Sequence, residues 1–348
     1  YLFQKIAERL KLIEALQESV PDHWKEIFTL ACYMISTSDP LMYCNEWMKD
    51  TETLESGSLS SQRISELLIS LRPEEREAFY QKWYLNHEEN GYLALDITSE
   101  SSYSKLIEDV EWGYNRDHEQ LPQINLCMLM GESSRLPIYQ TVYSGSNKDV
   151  STLVTTLSKF LLITKDRPVT VVMDKGFFST KNINYLLGDS GRNPVKFLIS
   201  MPFTSSFARR QIESERKDID CAEKTIVVNG ISMRAVTKVR AWNKEHNVFT
   251  HIFFSAQKAA AIREDLFAEI AMLRQKVTLD PEKYIHDEEC TKYLIIRRSE
   301  KQDLGYTVSI RNDVIEKALE TAGWVVLISN NISDEQTAIQ IYRDKDVV

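Results

Sequence analysis

The sequence lacks the marks of several common protein classes. It has no uninterrupted apolar run of about 18 residues, the length that a membrane-spanning helix needs, and no charged-then-apolar segment of the kind that directs secretion. We therefore expect a cytoplasmic protein with no membrane partner. It also has no G-x-x-x-x-G-K-[ST] loop and no G-x-G-x-x-G turn, so nucleotide hydrolysis is not supported.

Cysteine and histidine are sparse and scattered. The five cysteines form no C-x-x-C pair and have no histidine at metal-ligand spacing, so neither a zinc site nor a disulfide framework is indicated, and we expect reduced, mostly buried thiols. No histidine stands at catalytic spacing from a cysteine or an acid, so none is assigned a role. The cysteines are Cys32, Cys44, Cys127, Cys221 and Cys290, and the histidines are His23, His87, His118, His246, His251 and His286.

Size and charge favour a multidomain globular protein with one basic region. A chain of 348 residues, 43% apolar and 27% charged, buries a sizeable core and exceeds one average domain. A net charge of -9, if spread evenly, would discourage binding to nucleic acid. Residues 165–240, however, hold 14 Lys and Arg against 8 Asp and Glu. Such a run indicates a DNA-binding surface only weakly, because most charge runs are solvated faces.

Hydrophobic periodicity divides the chain into four regions. Residues 1–88 repeat apolar positions at helical spacing and predict a helical N-terminal region. Residues 89–203 read as three strands, a helix with Asp149 as its N-cap, a buried strand, a helix and a strand, which predicts a mixed α/β core. Residues 204–321 predict an inserted module, β-rich at first and then helical. Residues 322–348 predict the last strand of the core and the start of a final helix.

Two aspartates follow apolar strand patterns in the same way. Asp96 follows Tyr-Leu-Ala-Leu and Asp174 follows Thr-Val-Val-Met, so each is predicted at the carboxyl end of a buried strand, where a charge is costly to desolvate. If their strands are neighbours in the order 3-2-1-4-5, the two carboxylates meet at a topological switch point. At about 4 Å they repel by roughly 4 kcal/mol at an effective dielectric near 20, and a divalent cation, Mg²⁺ or Mn²⁺, resolves the repulsion. The alternative is that either residue merely caps a turn.

A two-metal site normally needs a third acid, which points to the final helix. Ser333 with Gln336 predicts a capping box at its start, and Tyr342 and Lys345 share one face with position 349. The sequence ends at 348 and begins with Tyr rather than Met, so we expect a chain truncated at both ends. Asp344 and Asp346 are acids of the right type, but they point from other faces of the helix.

Three motifs in this order resemble those of the DDE transposases of bacterial insertion sequences, in the IS-four-like group. "LALDITSESSYS" resembles the first motif, and "WGYNRDHEQLPQINLCMLM" resembles the second-strand region. "MDKGFF" matches a D-x-G-x-F/Y motif, and "YRDKDVV" matches the start of a Y, two residues, R, three residues, E, six residues, K signature. Lys345 stands where Arg is usual, and the Glu falls one residue past the end of the sequence.

The resemblance implies a ribonuclease-H-like core, with Asp96 and Asp174 as catalytic metal ligands for Mg²⁺ or Mn²⁺. It implies cleavage and strand transfer of DNA at transposon ends and into a target by a homodimer, in a bacterial cytoplasm and at the nucleoid when bound. Because the third acid is not within the sequence, we expect weak metal binding and little or no cleavage. The residues that the resemblance and local charge suggest for DNA binding are Lys175, Arg209, Arg210, Trp242, Tyr342 and Lys345.

Several alternatives stay open from the sequence. Ordinary surface charge explains the three basic residues between 175 and 210 at least as well as phosphate binding does. Core packing explains Trp242 and Trp324 better than stacking on a displaced base. A transposase-like chain that binds DNA ends without cutting is the first alternative function. A different ribonuclease-H-like nuclease acting on RNA or hybrids is the second, and a purely structural protein is the third.

Overall fold

Two units make up the chain, one comprising Tyr1–Val171 and the other beginning at Val172. The computed structural model describes residues 1–87, 89, 91–114, 119–164, 167–189, 191–298 and 305–345. Within these ranges, no helix is both long enough and apolar enough to cross a lipid bilayer.

The first unit begins with helices, as the periodicity of residues 1–88 predicts. Two apolar clusters hold them together, one around Phe28 and one around Tyr33. Pro73 is the first residue of the sixth helix, where its missing N–H costs nothing because the first turn has no intrahelical acceptor for it. The Glu75 carboxylate accepts from the backbone N–H of Arg72 at 2.8 Å. The helices are α1 Leu2–Arg9, α2 Leu12–Ser19, α3 Trp24–Ser36, α4 Cys44–Trp47, α5 Ser61–Ser70 and α6 Pro73–Asn86.

A three-stranded antiparallel meander follows, as predicted. Strands β1 Leu93–Ser101, β2 Gln123–Gly131 and β3 Pro137–Ser144 pair in sequence, and the second strand alternates buried and half-buried residues along its length. Helix α7 Asp149–Thr164 then buries Leu153 and Leu157 from the predicted stripe. Asp149, the predicted N-cap, is the first residue of the helix, so the helix begins one residue earlier than predicted.

Asp96 is not at the end of its strand, and that prediction was wrong. It is the fourth residue of β1 and pairs with Met128, and the ladder continues to Ser101 opposite Gln123. The strand is buried on both faces from its first residue through Leu95. From Asp96 onward only Ile97 is buried, and the other residues are exposed or half-buried. The sequence pattern marks the point where one face of the strand becomes exposed. The strand itself continues, because β2 still supplies backbone hydrogen-bond partners.

The second unit contains the rest of the sheet and a helical region. Its elements are β5 Lys196–Ser200, β6 Thr225–Val228, β7 Ile231–Ala241, β8 Asn247–Phe254, β9 Leu294–Arg298, β10 Tyr306–Ile310 and β11 Trp324–Ser329, with helices α8 Thr180–Leu187, α9 Ser206–Glu215, α10 Ala256–Leu279, α11 Pro281–Tyr284, α12 Glu288–Tyr293, α13 Asn312–Leu319 and α14 Glu335–Asp344. Strand β4 Thr170–Met173 crosses the boundary between the units.

The large sheet is mixed and flanked by helices, which confirms the predicted α/β class. In the first unit the strand order is β3-β2-β1, with β4 next to β1, and in the second unit it is β4-β5-β11-β8-β7-β6. The order β3-β2-β1-β4-β5 is the predicted 3-2-1-4-5 order.

The region predicted as an insertion has two structural parts. Strands β6 to β8 extend the main sheet, since β8 pairs with β11 from Phe254 opposite Trp324 to Phe249 opposite Ser329. Helices α10 to α13 and the two-stranded sheet β10-β9 pack around a separate cluster that includes Leu273, Val277 and Tyr293. The domain limits at 88, 203 and 321 remain predictions.

Candidate active site

Asp174 stands where a fully buried strand reaches solvent. The three residues before it, Val171, Val172 and Met173, are each 0% exposed, whereas the Asp174 side chain is 41% exposed. The chain turns immediately into a short 3₁₀ helix, Lys175–Phe177, which ends the strand. A carboxylate is thus presented at the rim of an apolar layer, in the position that the sequence predicts.

Helix α14 brings two side chains onto this carboxylate. The Tyr342 hydroxyl donates to Asp174 Oδ1 at 2.8 Å, and the Lys345 Nζ lies 3.0 Å from the same oxygen. The two residues are three positions apart and share one face of the helix, and the Lys345 Nζ lies 5.3 Å from the centroid of the Tyr342 ring. The shared face was predicted, as was a final helix beside the predicted acidic site, but the direct contacts of Tyr342 and Lys345 with Asp174 Oδ1 were not.

The start of α14 differs by one residue from the prediction. Asp334, not Ser333, is the N-cap, and its carboxylate accepts from the Thr337 N–H at 2.7 Å. Aspartate caps a helix as well as serine does and adds a favourable interaction with the helix dipole, so it displaces the neighbouring hydroxyl. Asp344 accepts from Gln340 Nε2 at 2.8 Å, and Asp346 lies outside the described residues, as does His118.

Asp96 lies on β1 of the first unit with an exposed side chain. Its Oδ1 accepts from the N–H of the next residue, Ile97, at 2.8 Å. The other candidate residues belong to the second unit. The pairing of Asp96 with Asp174 in one metal site therefore stays a prediction.

Trp242 is partly buried in an aromatic cluster next to the Asp174 turn. Its ring contacts Phe178 and Phe207 at centroid distances of 6.1 and 5.5 Å, and its Nε1 donates to Asn184 Oδ1 at 2.8 Å. Two aromatic contacts and one hydrogen bond fix the orientation of the indole. Trp324, by contrast, is 6% exposed and packs against Phe254, which favours core packing for that residue.

Three of the predicted basic residues are exposed, whereas the side chain of the fourth, Lys345, is 7% exposed. Lys175 follows Asp174 directly, and Arg209 and Arg210 lie on the outer face of α9. The inner face of α9 is anchored to β7, because the Arg240 Nε donates to Gln211 Oε1 at 2.9 Å.

Glu215 provides a second anchor between α9 and β7. Its side chain is 2% exposed, and it pairs with Lys238 and, at 3.5 Å, with Lys224. Burial raises the pKa of the Glu215 carboxyl, but the two lysines lower it by more, so the net pKa is below its ordinary value and the group is charged. The two arginines therefore project from a helix that is held firmly against the sheet.

The family of the chain follows from a comparison with known proteins. The family described as "Transposase DDE domain" matches residues 87–345, well over half of the chain. The chain belongs to the DDE transposase domain family. No curated protein sequence matches it. Among solved structures, a cryo-EM structure of a piggyBac transposase synaptic complex with hairpin DNA is similar, with a TM-score of 0.43 and 11% identity. That match covers 93% of this chain and 58% of the other chain, so this chain spans just under three fifths of that protein.

The surroundings of Asp174 in this DDE transposase domain suit a hard cation. Asp174 Oδ1 already forms an ion pair with the Lys345 ammonium, and the carboxylate is partly open to solvent. A positive charge is therefore accommodated at this position. Carboxylate oxygens are the ligands that Mg²⁺ and Mn²⁺ prefer. The exposure of Asp174 and its contact with a cation therefore make it a suitable metal ligand.

Sequence reasoning missed several residues around the site of this transposase domain. Asn184 was missed because nothing in its local pattern indicates a bond to a tryptophan far along the chain. Asp189, Glu245 and His246 also come together, with ligand atoms within 4.8 Å of one another among the described residues. The His246 Nε2 lies 2.8 Å from Asp189 Oδ1, a contact that joins the β7–β8 hairpin to the loop after α8. That contact gives Asp189 and His246 a structural role as a link between the two loops.

Proposed function

We propose that this protein is a transposase of the insertion-sequence type, which cleaves DNA at transposon ends and joins those ends to a target. The observation that carries the proposal is the convergence of Tyr342 and Lys345 on Asp174, inside the region that matches the DDE transposase family. The three residues belong to two of the motifs whose order the family shares. Function in the bacterial cytoplasm, at the nucleoid when bound to DNA, belongs to the same proposal.

In this proposal Asp96 and Asp174 are the ligands of Mg²⁺ or Mn²⁺. When bound, the metal ions supply Lewis-acid stabilisation of the attacking and leaving oxygens of a phosphodiester. The role of the protein is to hold Asp174 where β4 reaches solvent and Asp96 on the exposed part of β1. Tyr342 contributes by donating to Asp174 Oδ1, which fixes the orientation of that carboxylate.

DNA is held by the exposed side of the second unit in this proposal. Arg209, Arg210 and Lys175 contact phosphates as exposed cations, and α9 keeps the two arginines in register. Trp242 offers an aromatic surface whose orientation is set by Asn184 and the two phenylalanines. Transposon ends come in pairs, so a homodimer that holds two ends is part of the proposal, to be measured as the mass of the DNA complex by light scattering.

The cleavage test compares acidic variants on one substrate. The natural full-length protein is incubated with a duplex carrying a transposon end and Mg²⁺ or Mn²⁺, and strand nicking is measured for wild type, Asp96→Asn and Asp174→Asn. Each variant is expected to lose at least about a hundredfold in rate, because removing one ligand charge disrupts a metal site. Asp313→Asn, an exposed acid on α13, is the matched control and is expected to nick as wild type does.

The same assay discriminates between the competing functions. Nicking that survives Asp174→Asn would contradict the proposed role of that residue. An RNA–DNA hybrid cleaved faster than the DNA duplex would indicate a different ribonuclease-H-like nuclease. Tight DNA binding with no nicking by wild type under any divalent ion would indicate a protein that only binds DNA.

The DNA-binding surface is tested by salt dependence. Loss of two phosphate contacts in an Arg209→Gln, Arg210→Gln variant is expected to reduce the slope of log K against log salt by about 2. The matched control is Arg263→Gln with Arg274→Gln, two exposed arginines on α10. If both double variants change the slope equally, the assignment of α9 as the DNA-binding helix is wrong.

A further inference from the structure

Lys345 is far more buried than the acid it contacts. Its side chain is 7% exposed, against 41% for Asp174, and its Nζ lies 3.0 Å from Asp174 Oδ1 and 5.3 Å from the centroid of the Tyr342 ring. A lysine that binds a DNA phosphate extends its ammonium into solvent, as long cationic side chains generally do. Lys345 instead directs its charge inward, onto a carboxylate and an aromatic face.

We propose that Lys345 is the intrinsic counter-ion of Asp174 and competes with the divalent cation for that carboxylate, so that it sets the metal affinity of the site. This inference rests on the proposed function, in which Asp174 is a metal ligand. Lys345 is a positioning residue in this scheme, and Tyr342 shares the positioning without contributing a charge.

The competition follows from the location of the charges. The ammonium contacts the Oδ1 atom directly, so a divalent ion that binds the same carboxylate meets a positive charge a few ångströms away. At an effective dielectric near 20, like charges about 5 Å apart repel by several times RT. The metal must therefore either tolerate that repulsion or displace the lysine into solvent, and in both cases its affinity is lowered.

Substitutions at this position separate charge from shape. Lys345→Met removes the charge and keeps an unbranched apolar stem, which suits a position that is nearly buried. Lys345→Arg keeps the charge. Tyr342→Phe removes the second donor to Asp174 Oδ1 and leaves the charge balance unchanged.

The experiment is a Mn²⁺ titration of the protein without DNA, followed by calorimetry or by the electron paramagnetic resonance signal of free Mn²⁺. Lys345→Met is expected to bind Mn²⁺ at least about tenfold more tightly than wild type, Lys345→Arg within about twofold of wild type, and Tyr342→Phe within about threefold. Asp174→Asn is expected to remove the site. If Lys345→Met does not fold, as judged by circular dichroism, Lys345→Gln gives the same comparison.

The outcomes distinguish this inference from the proposed function. Equal or weaker Mn²⁺ binding by Lys345→Met, together with loss of the site in Asp174→Asn, would overturn the counter-ion role and leave Asp174 as a ligand. Mn²⁺ binding unaffected by Asp174→Asn would overturn the proposed metal site itself.

DNA binding provides an independent readout. A lysine whose role is to contact phosphate would lower the metal-free DNA affinity when replaced by methionine and reduce the salt slope by about 0.9, with no change in Mn²⁺ affinity. The counter-ion role predicts the reverse pattern: a changed Mn²⁺ affinity and an unchanged salt slope. The pattern expected of a phosphate contact would overturn the inference.

Discussion

Lowering the pH from 7 to 5 is expected to destabilise the protein through His251. This residue is 0% exposed on β8, opposite Leu327 of β11, and its Nδ1 lies 2.7 Å from Thr237 Oγ1. Burial lowers the pKa of His251 to about 4, outweighing a backbone contact with Ile332 and the charge of Asp334, which raise it. The folded protein therefore keeps this ring neutral at a pH where a free histidine is protonated.

The magnitude follows from the difference between the folded and unfolded pKa values of His251. The ordinary pKa is 6.5 and the folded value is about 4, so between these values the unfolded chain binds a proton that the folded chain does not. The stabilising contribution is present above about pH 6.5 and is lost as the pH falls below it. The free energy of unfolding is expected to be about 2 kcal/mol lower at pH 5 than at pH 7 from this one group.

Urea unfolding followed by tryptophan fluorescence at both pH values measures the effect. Wild type is expected to lose about 2 kcal/mol more on going from pH 7 to pH 5 than His251→Gln does, and any destabilisation by the substitution itself cancels because each protein is compared with itself. His286→Gln, at an exposed position of the same unit, is the control and is expected to follow wild type. An equal loss in wild type and His251→Gln would refute the reasoning.

Two further predictions concern the stability of each unit. In the first, Glu26→Gln removes a carboxylate that pairs with Arg63 at 2.6 Å and is expected to cost about 1–2 kcal/mol at pH 7, less than a fully buried pair because Arg63 is partly exposed. Since the bond to Arg63 lowers the pKa of Glu26, the difference from wild type is present above about pH 4.5 and shrinks below it, and urea unfolding at pH 7 and pH 3.5 tests this. In the second, Gly323→Ala would place a Cβ 2.5 Å from the Ser255 carbonyl oxygen at a φ of +79° and is expected to cost at least about 2 kcal/mol in thermal unfolding. Gly230→Ala, at a φ of +75° with open space around it, is expected to cost only about 1 kcal/mol, and equal costs would contradict the steric argument.

The fold was predictable wherever burial repeats along a short stretch of chain. The N-terminal helices and the β1–β3 meander follow from periodicity, because each element buries one face locally. The extension of the sheet by β6 to β8 was not predictable, since β8 meets β11 only after a helical region has intervened. Asp96 is a second case in which backbone pairing could not be predicted. The change in sequence pattern at this residue marks the exposure of one face of β1, and the pairing of β1 with β2 continues beyond it.

The candidate site was predictable as a set of charges but not as a set of contacts. The pattern before Asp174 indicates a carboxylate at the edge of a buried strand, and helical spacing places Tyr342 and Lys345 on one face. The Asp174 carboxylate, at the end of a buried strand, needs a cationic or hydrogen-bonding partner. The nearly buried Lys345 ammonium needs an acceptor. The sequence indicates the first requirement but not the second, because the burial of Lys345 appears only in the structure, and Asp174 and Tyr342 are 168 positions apart in the chain. The fold satisfies each requirement with the other, and for that reason the affinity for a divalent cation and the position of α14 are expected to depend on the same pair of side chains.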